Sequence, residues 1–572
     1  MPRPLSAILL QRLLARAPRV HAGLRALRWR LRGGAVPTTD AEDPAAFARY
    51  RDALERALPA ALPDDVPDGA PWLSVLMPVD AGDPVLIEAT LAALARQTAL
   101  RWELCVVAPA DAADAWAGRL TRFSAARVVP IAPGLGALDT GLRETRAPFV
   151  APLPPGALPV PDALARLGAV ARAQPDAALI HADDYQLDAS GDPHAPRCRT
   201  VLDPVRLLRE PVVGRFYLAA TETVRAAGGF GSGHHDGLRR LAATVPPFRA
   251  WHLPVFACAW RGSAPEGEAR SRAGLPGMSP PSVSVIVPTR DGMPHLRACI
   301  DGVRAELAAL AAGGEIIVVD NGSRDPATLA YLESLEEGGT ARVMRYPGAF
   351  NFAAMNNRAA ECARGEALLL LNDDVVPMAP GWLGAMVARL SADHAGAVGA
   401  LLLHGDGRIQ HAGVALGMGG LAAHPGQGLA PGDPRLNRIG IDQPRTVSAV
   451  TAACLLTPRD VYSAVGGLDE TGLPVAYNDV DYCLKVADRG RRVVWTPDAV
   501  LTHHESVSRG AEDSIAKQRR LRKEMQCMRA RWGDRLAADP WISPHLDPRT
   551  ASLAFRVPVD ARVCAARPAE RR

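Results

Sequence analysis

The strongest constraint on this chain is an order of short apolar segments that occurs twice. SVLMPV at Ser74–Val79 returns as SVIVPT at Ser284–Thr289, an offset of 210 residues. ELCVVAP from Glu103 returns as EIIVVDN from Glu315 at an offset of 212, and AAGGF from Ala226 returns as AVGGL from Ala464 at 238. An order that is kept while the offsets grow marks a duplicated domain carrying insertions. Strand-like runs alternate with helical ones, as in Trp72–Val79, Val85–Gln97 and Glu103–Val107. That alternation predicts an α/β fold with two tandem domains, each on a mostly parallel, doubly wound sheet. The 572 residues are also too many for one hydrophobic core.

Five segments are expected. Residues 1–70 read as a basic helical leader and linker, 71–262 as the first copy, and 263–281 as a linker rich in Ser, Gly and Pro. The second copy runs over 282–510, and a charged helical tail over 511–572 closes the chain. The net charge of +4 is small for this length and gives no reason to expect nucleic acid. Nine cysteines stand singly without CxxC spacing, which points to a reducing compartment and away from a structural zinc site. No apolar run is long enough for a membrane span and no secretory signal is visible, so a cytoplasmic location is expected. The first 35 residues hold eight arginines, no acid and interleaved leucines. They read either as an amphipathic helix lying peripherally on the anionic inner membrane or as a solvated leader.

The candidate chemistry sits in the second copy. GEALLLLNDDVVP at Gly365–Pro377 is a short buried strand that ends in Asn372, Asp373 and Asp374. Ligands bind outside the carboxyl ends of strands in open α/β sheets, and carboxylate oxygens there suit a hard divalent cation that completes its shell with substrate phosphates. A plain Asx turn is the alternative. Two neighbouring strands end in Pro288-Thr289-Arg290-Asp291 and in Asp320-Asn321-Gly322-Ser323. Acidic residues at such ends accept hydrogen bonds from a ribose hydroxyl or a base edge. Thr289, Asp291 and Asp320 are therefore candidate substrate contacts. Neither GxGxxG after a strand nor GxxxxGK[ST] occurs, so phosphates would have to be neutralised by a metal.

Eight segments in order, VSVIVPTRD, IIVVDNGS, YPGAFNFAAMNN, GEALLLLNDDV, RIQHAGV, VGGLDE, NDVDYCLK and LTHHESVSRG, resemble glycosyltransferase family 2. They look most like the bacterial enzymes of O-antigen and surface-polysaccharide synthesis, among them rhamnosyltransferases. The resemblance implies a GT-A fold, a nucleotide-sugar donor, a glycan or lipid-linked acceptor, Mg²⁺ or Mn²⁺, and inversion at the anomeric carbon. It places Asp320 and Asp291 on the nucleoside, Asp373 on the ribose or donor sugar, and Asp374 on the metal. Asn372, where many relatives have Asp, joins Asp374 as a metal ligand, and His503 completes the shell with His504 as its rival. Asp479 matches the catalytic base, with Asp481 beside it as a substrate contact. The loop Gly417–Asn437 reads either as a lid or as disorder without a role, while Asn351, Asn356, Asn357 and His411 are either sugar contacts or structural caps.

The first copy lacks these groups. Ala108 and Pro109 replace the residue equivalent to Asp320, and FVAPLPPGALP replaces the acidic strand end without a carboxylate. His234 falls opposite Asp479, Asp236 opposite Asp481 and Trp260 opposite His503. A degenerate copy that binds acceptor glycan or docks on the catalytic half is expected, with Asp183 and Asp184 as its remaining carboxylates. The alternatives are a bifunctional transferase, a nucleotidyltransferase, and a noncatalytic glycan-binding or scaffold protein. A nucleotidyltransferase would carry a Gly-rich phosphate loop that PTRDGMPHL does not supply.

Overall fold

The computed structural model describes residues 44–58, 70–79, 83–99, 101–207, 213–214, 216–244, 249–261, 280–293, 295–504, 515–556 and 567–568. The arginine-rich leader and residues 263–279 of the expected linker lie outside the described residues. The chain divides into two compact units. The first is built from Glu42–Gly274 with Pro540–Asp547 and Ala554–Arg572, the second from Leu275–Asp539 with Pro548–Leu553.

In the first unit the strands are β1 (Leu73–Pro78), β2 (Trp102–Ala108), β3 (Ala126–Pro130), β4 (Phe149–Pro152), β5 (Ala157–Pro159), β6 (Leu179–Leu187), β7 (Pro193–Arg197), β8 (Tyr217–Ala220) and β9 (Ala250–Trp260). The second unit has β10 (Val283–Thr289), β11 (Gly314–Asp320), β12 (Arg342–Arg345), β13 (Ala367–Leu371), β14 (Val375–Pro377), β15 (Ala395–Leu403) and β16 (Ile409–His411). It continues with β17 (Ala415–Leu416), β18 (Ala422–Ala423), β19 (Arg445–Thr446), β20 (Cys454–Pro458) and β21 (Arg492–His503), and β22 (Arg567–Pro568) returns to the first unit.

The two main sheets share one topology. Along the first the order is β3-β2-β1-β4-β8-β6-β9, and along the second β12-β11-β10-β13-β20-β15-β21. In each, four parallel strands are followed by one antiparallel strand, and then by two strands that run with the first four. This is the α/β architecture of tandem, mostly parallel sheets that the repeat predicts. The duplication extends to side chains. Ser74 donates to Glu103 at 2.5 Å and Glu103 pairs with Arg127, while Ser284 donates to Glu315 at 2.8 Å and Glu315 pairs with Arg342. Strands β10, β13 and β15 are buried along their whole length, as strands covered on both faces must be.

Two expectations change. The 511–572 segment is helical from Ile515 to Trp532, but Pro540, Pro544 and Pro548 then keep the chain out of helix. Of its later residues Pro540–Asp547 and those from Ala554 on join the first unit, where His545 is fully buried and Phe555 stacks on Tyr50 at 4.6 Å, while Pro548–Leu553 stay with the second. The Gly417–Asn437 loop is anchored rather than open. Its Met418, Leu421 and Leu436 are buried, and its backbone bonds to Pro548 and Ala551 through Gly419 and Gly426.

Candidate active site

Strand β13 carries five wholly buried residues, Ala367–Leu371, and delivers the acidic turn at its carboxyl end. The turn is pinned by the Asn372 N–H on the Ala453 carbonyl at 3.0 Å, and β14 leaves it antiparallel to the end of β21. Val375 therefore faces His503 in register, and the His504 N–H bonds to the Asp374 carbonyl at 3.0 Å.

That register brings Nε2 of His503 to 3.2 Å from Oδ1 of Asp374. The other ring nitrogen, Nδ1, lies 2.8 Å from Oε1 of Gln410, whose Nε2 donates to the His503 carbonyl at 3.3 Å. A carbonyl only accepts, so the amide orientation is fixed, Nδ1 carries a proton and Nε2 is the nitrogen turned to Asp374. Sequence reasoning missed Gln410. It is buried, uncharged and marked by nothing except its place in RIQHAGV. His504 points elsewhere, its ring 4.7 Å from that of His295. Asn372 turns its amide nitrogen to Nε2 of His503 at 3.2 Å, so in this arrangement it donates to the imidazole instead of offering an oxygen.

Among the described residues no three His, Cys, Asp or Glu side chains form a metal-holding group. Asp374 and His503 would offer a cation two ligands, and Asn372 would offer a third oxygen on turning its amide over. A set this small suits a divalent cation that takes its remaining ligands from phosphate oxygens.

Asp373 is buried and accepts from the Thr289 hydroxyl at 2.7 Å. Gly292 closes against both, and a Cβ there would collide with Asp373 and Thr289. Asp320, at the end of β11, accepts from the Ser323 N–H at 2.9 Å and from Arg345 at 2.9 Å. Burial pushes its carboxyl up, but Ser323 and Arg345 outweigh that and hold it below the usual carboxylate range. Asp291 adopts a left-handed φ of 51°, and its Oδ1 accepts from the N–H groups of Arg324 and Asp325 at 2.6 and 2.8 Å. Thr289, Asp291, Asp320 and Asp373 thus line the ends of three adjacent strands.

Asp479 stands in the first turn of the helix Asn478–Asp488, half-exposed, with Oδ2 accepting from the Ala452 N–H at 3.1 Å. The next residue, Ala453, is the one that holds Asn372, so two consecutive peptide units join Asp479 to the acidic turn. Asp481 departs from expectation. It is fully buried and bonded to Arg531 at 2.7 Å, Trp532 at 3.0 Å and Lys485 at 3.1 Å, which leaves it no face for substrate. Of the asparagines only Asn351 caps a helix, accepting from the Ala354 N–H at the start of Phe352–Cys362; inside that helix Asn356 donates to the Phe352 carbonyl one turn back, and Asn357 donates to the Leu468 carbonyl and accepts from the Tyr462 hydroxyl. His411 is buried against His424, with their Nδ1 atoms 2.8 Å apart.

The same registers locate the corresponding positions of the first unit. Phe149 and Ala367 pair with the first residues of β1 and β10, which sets Pro154, Pro155 and Gly156 where Asn372, Asp373 and Asp374 stand. Trp260 faces Ala157 as His503 faces Val375. His234 bonds to the Gly214 carbonyl at 3.0 Å where Asp479 bonds to the Ala452 amide.

Over 532 residues the chain is 34% identical to an uncharacterized protein, y4gI, of Sinorhizobium fredii, covering 83% of this chain and 58% of that one. Over 524 residues it is 31% identical to the O-antigen biosynthesis protein RfbC of Myxococcus xanthus, covering 84% of this chain and 40% of that one. The chain thus spans about half the length of these relatives. Among solved structures it is similar to GalNAc-T7 with UDP, GalNAc and Mn²⁺, with a TM-score of 0.33 and 18% identity over 42% of this chain and 48% of that one. It is also similar to the mannosyltransferase PcManGT of Pyrobaculum calidifontis in complex with GDP-Man and Mn²⁺, with a TM-score of 0.32 and 18% identity over 46% and 67%. The model of the glycosyl transferase family 2 matches residues 284–414, the stretch that runs from β10 through the acidic turn to His411. Residues 284–414 are therefore a glycosyltransferase family 2 domain.

Proposed function

We propose that the second unit transfers a sugar from a nucleotide-diphosphate donor, with inversion and with a divalent metal, to a glycan or lipid-linked acceptor in surface-polysaccharide synthesis. The observation that carries this reading is the linkage of Asp479, through Ala452 and Ala453, to the turn that sets Asp374 beside His503. Asp320, Asp291 and Thr289 lie where a nucleoside would rest, and Asp373 where its ribose or the donor sugar would. Bound Mg²⁺ or Mn²⁺ would neutralise the charge that develops on the leaving diphosphate. Asp374 and His503 would hold that cation, with Gln410 fixing the histidine tautomer.

A sugar hydroxyl is a poor nucleophile at neutral pH. Asp479 takes its proton as the oxygen bonds to the anomeric carbon and the bond to the diphosphate breaks. A single displacement of this kind inverts the anomeric centre. Rhamnose from a dTDP donor is the finer assignment, supported by the family resemblance alone. For the first unit we propose a noncatalytic, acceptor-binding role, on the strength of Pro154, Pro155 and Gly156 at the acidic turn. A cytoplasmic, membrane-peripheral location completes the reading, and no helix among the described residues is long and apolar enough to cross a membrane.

The test is nucleotide release by the full chain with UDP-, dTDP- and GDP-sugars, Mn²⁺ or Mg²⁺, and lipid-linked acceptors, beside Asp479→Asn. Release that needs metal and acceptor and falls by about 10²–10⁴-fold in the variant is expected. Tight metal-dependent nucleotide binding without turnover, across acceptors competent for related enzymes, would favour a noncatalytic binding protein instead.

A further inference from the structure

We propose that the C-terminal helix Ile515–Trp532 is a positioning element for the loop that carries Asp479, and that Glu524 is its positioning residue. This inference rests on the reading of Asp479 as the base. Glu524 is 1% exposed, and its Oε1 alone accepts two backbone N–H groups, from Val475 at 2.9 Å and Ala476 at 3.1 Å. The next residue, Tyr477, takes a left-handed conformation at φ 61° and ψ 3°, and from there the helix Asn478–Asp488 begins. A non-glycine residue in that region is strained and persists only when its surroundings fix it.

The second hold lies two helical turns on. Arg531 bonds to Asp481 at 2.7 Å and to Asp469 at 2.7 Å, and Trp532 donates to the same Asp481 oxygen at 3.0 Å. Glu524, the fully buried Met528 and Arg531 stand at i, i+4 and i+7 and so share one face of the helix. Residues 475–476 and 481 are thus gripped on either side of Asp479. Its own carboxylate is held by the Ala452 and Val480 N–H groups. A base must meet its proton within hydrogen-bond reach, and a displacement of about 1 Å can cost about 10²-fold in rate. The clasp therefore acts on turnover and not on the donor site, which is built on β10, β11 and β13.

The experiment uses the full chain with Glu524→Ala, Glu524→Gln and Asp479→Asn. It measures UDP affinity with Mn²⁺, nucleotide release from the sugar-nucleotide panel, and amide hydrogen exchange over residues 475–481. Glu524→Ala is expected to lower turnover by about 10²-fold with UDP affinity within about twofold of wild type. Exchange at 475–481 should speed by about tenfold with the loss of two charged hydrogen bonds. Glutamine keeps the oxygen that accepts both amides, so Glu524→Gln should restore turnover to within a few-fold and exchange to the wild-type rate. Unchanged exchange in Glu524→Ala would overturn the proposal, whether or not a productive donor is found. So would a glutamine variant as impaired as the alanine one, or UDP affinity that falls in step with turnover. Full turnover in Asp479→Asn would instead sink the base assignment, while the exchange data still test the clasp.

Discussion

Nε2 of His503 lies 3.2 Å from Oδ1 of Asp374 because Nδ1 of the same ring is committed to Gln410 at 2.8 Å. The two contacts fix which nitrogen faces the carboxylate. If a cation binds there, Gln410 matters without touching it. Gln410→Ala should weaken Mn²⁺ binding in the presence of UDP by about 10–100-fold, and His503→Ala by at least as much. Mn²⁺ titration followed by electron paramagnetic resonance reads this directly. Affinity unchanged in both variants would remove His503 from the metal site.

A buried carboxylate ties the first unit together. Asp183 accepts from the Arg199 N–H at 2.5 Å, sits 3.1 Å from Nε2 of His252 and 2.8 Å from Nε2 of His545, and His545 bonds onward to Tyr50 at 2.8 Å. Burial pushes this carboxyl up, but His252 and His545 outweigh it and hold it below the usual carboxylate range. A carboxyl lowered in the folded state contributes stability that is present above its unfolded value of about 3.9 and lost as pH falls through the folded value. Asp183→Asn should therefore flatten the acid limb of the first unit's stability below about pH 4. Asp183→Ala should cost about 3–5 kcal/mol at neutral pH, since it strands buried partners. Urea unfolding as a function of pH measures both.

Thiol chemistry offers an independent check of burial. Cys105 is pushed up to about 12 by burial and then by Glu103. Cys299 is raised by burial and by the nearby Asp373 and Asp374, and burial also raises Cys454 and Cys483. Cys362 is exposed and Cys527 half-buried. The thiolate is the reactive form. At pH 8 iodoacetamide should label Cys362 fastest among the described residues and Cys527 more slowly, leaving the buried thiols unlabelled until unfolding. Peptide mapping that finds Cys299 or Cys454 labelled as fast as Cys362 would contradict the burial of the acidic turn.

The parts of this fold that were legible in the sequence are those written in local patterns. Apolar runs such as VSVIVPT and ALLLL can only be buried strands, and a run that repeats with its neighbours in order repeats its topology. Asp374 and His503, which lie 3.2 Å apart, could be singled out because their residue types carry chemistry. Asp481 was not, because its partners, Arg531 and Trp532, arrive from fifty residues away and turn a charged helix N-terminus into a buried ion cluster. Gln410 was invisible for the same reason, being a neutral side chain whose role comes from the ring it faces. The anchoring of the Gly417–Asn437 loop was not legible because glycine content reports conformational freedom, whereas Gly419 and Gly426 use theirs to reach backbone partners at Pro548 and Ala551.

Gly292 gives the sharpest test of the donor side. It follows Asp291 and lies where a Cβ would meet Oδ2 of Asp373 and the Thr289 hydroxyl. Its carbonyl accepts from the Leu296 N–H at 3.1 Å, so the backbone cannot simply swing away. In Gly292→Ala the side chain that must yield is Asp373, which loses its 2.7 Å bond to Thr289. The strain should cost about 1–3 kcal/mol of stability. Loss of a charged hydrogen bond at the proposed ribose contact should weaken UDP or dTDP binding by about tenfold. Thr289→Val removes the hydroxyl while keeping the shape, and should weaken binding in the same direction without the full stability loss. Calorimetric titration of both variants separates the two effects. Nucleotide affinity equal to wild type in both would place the ribose away from Asp373.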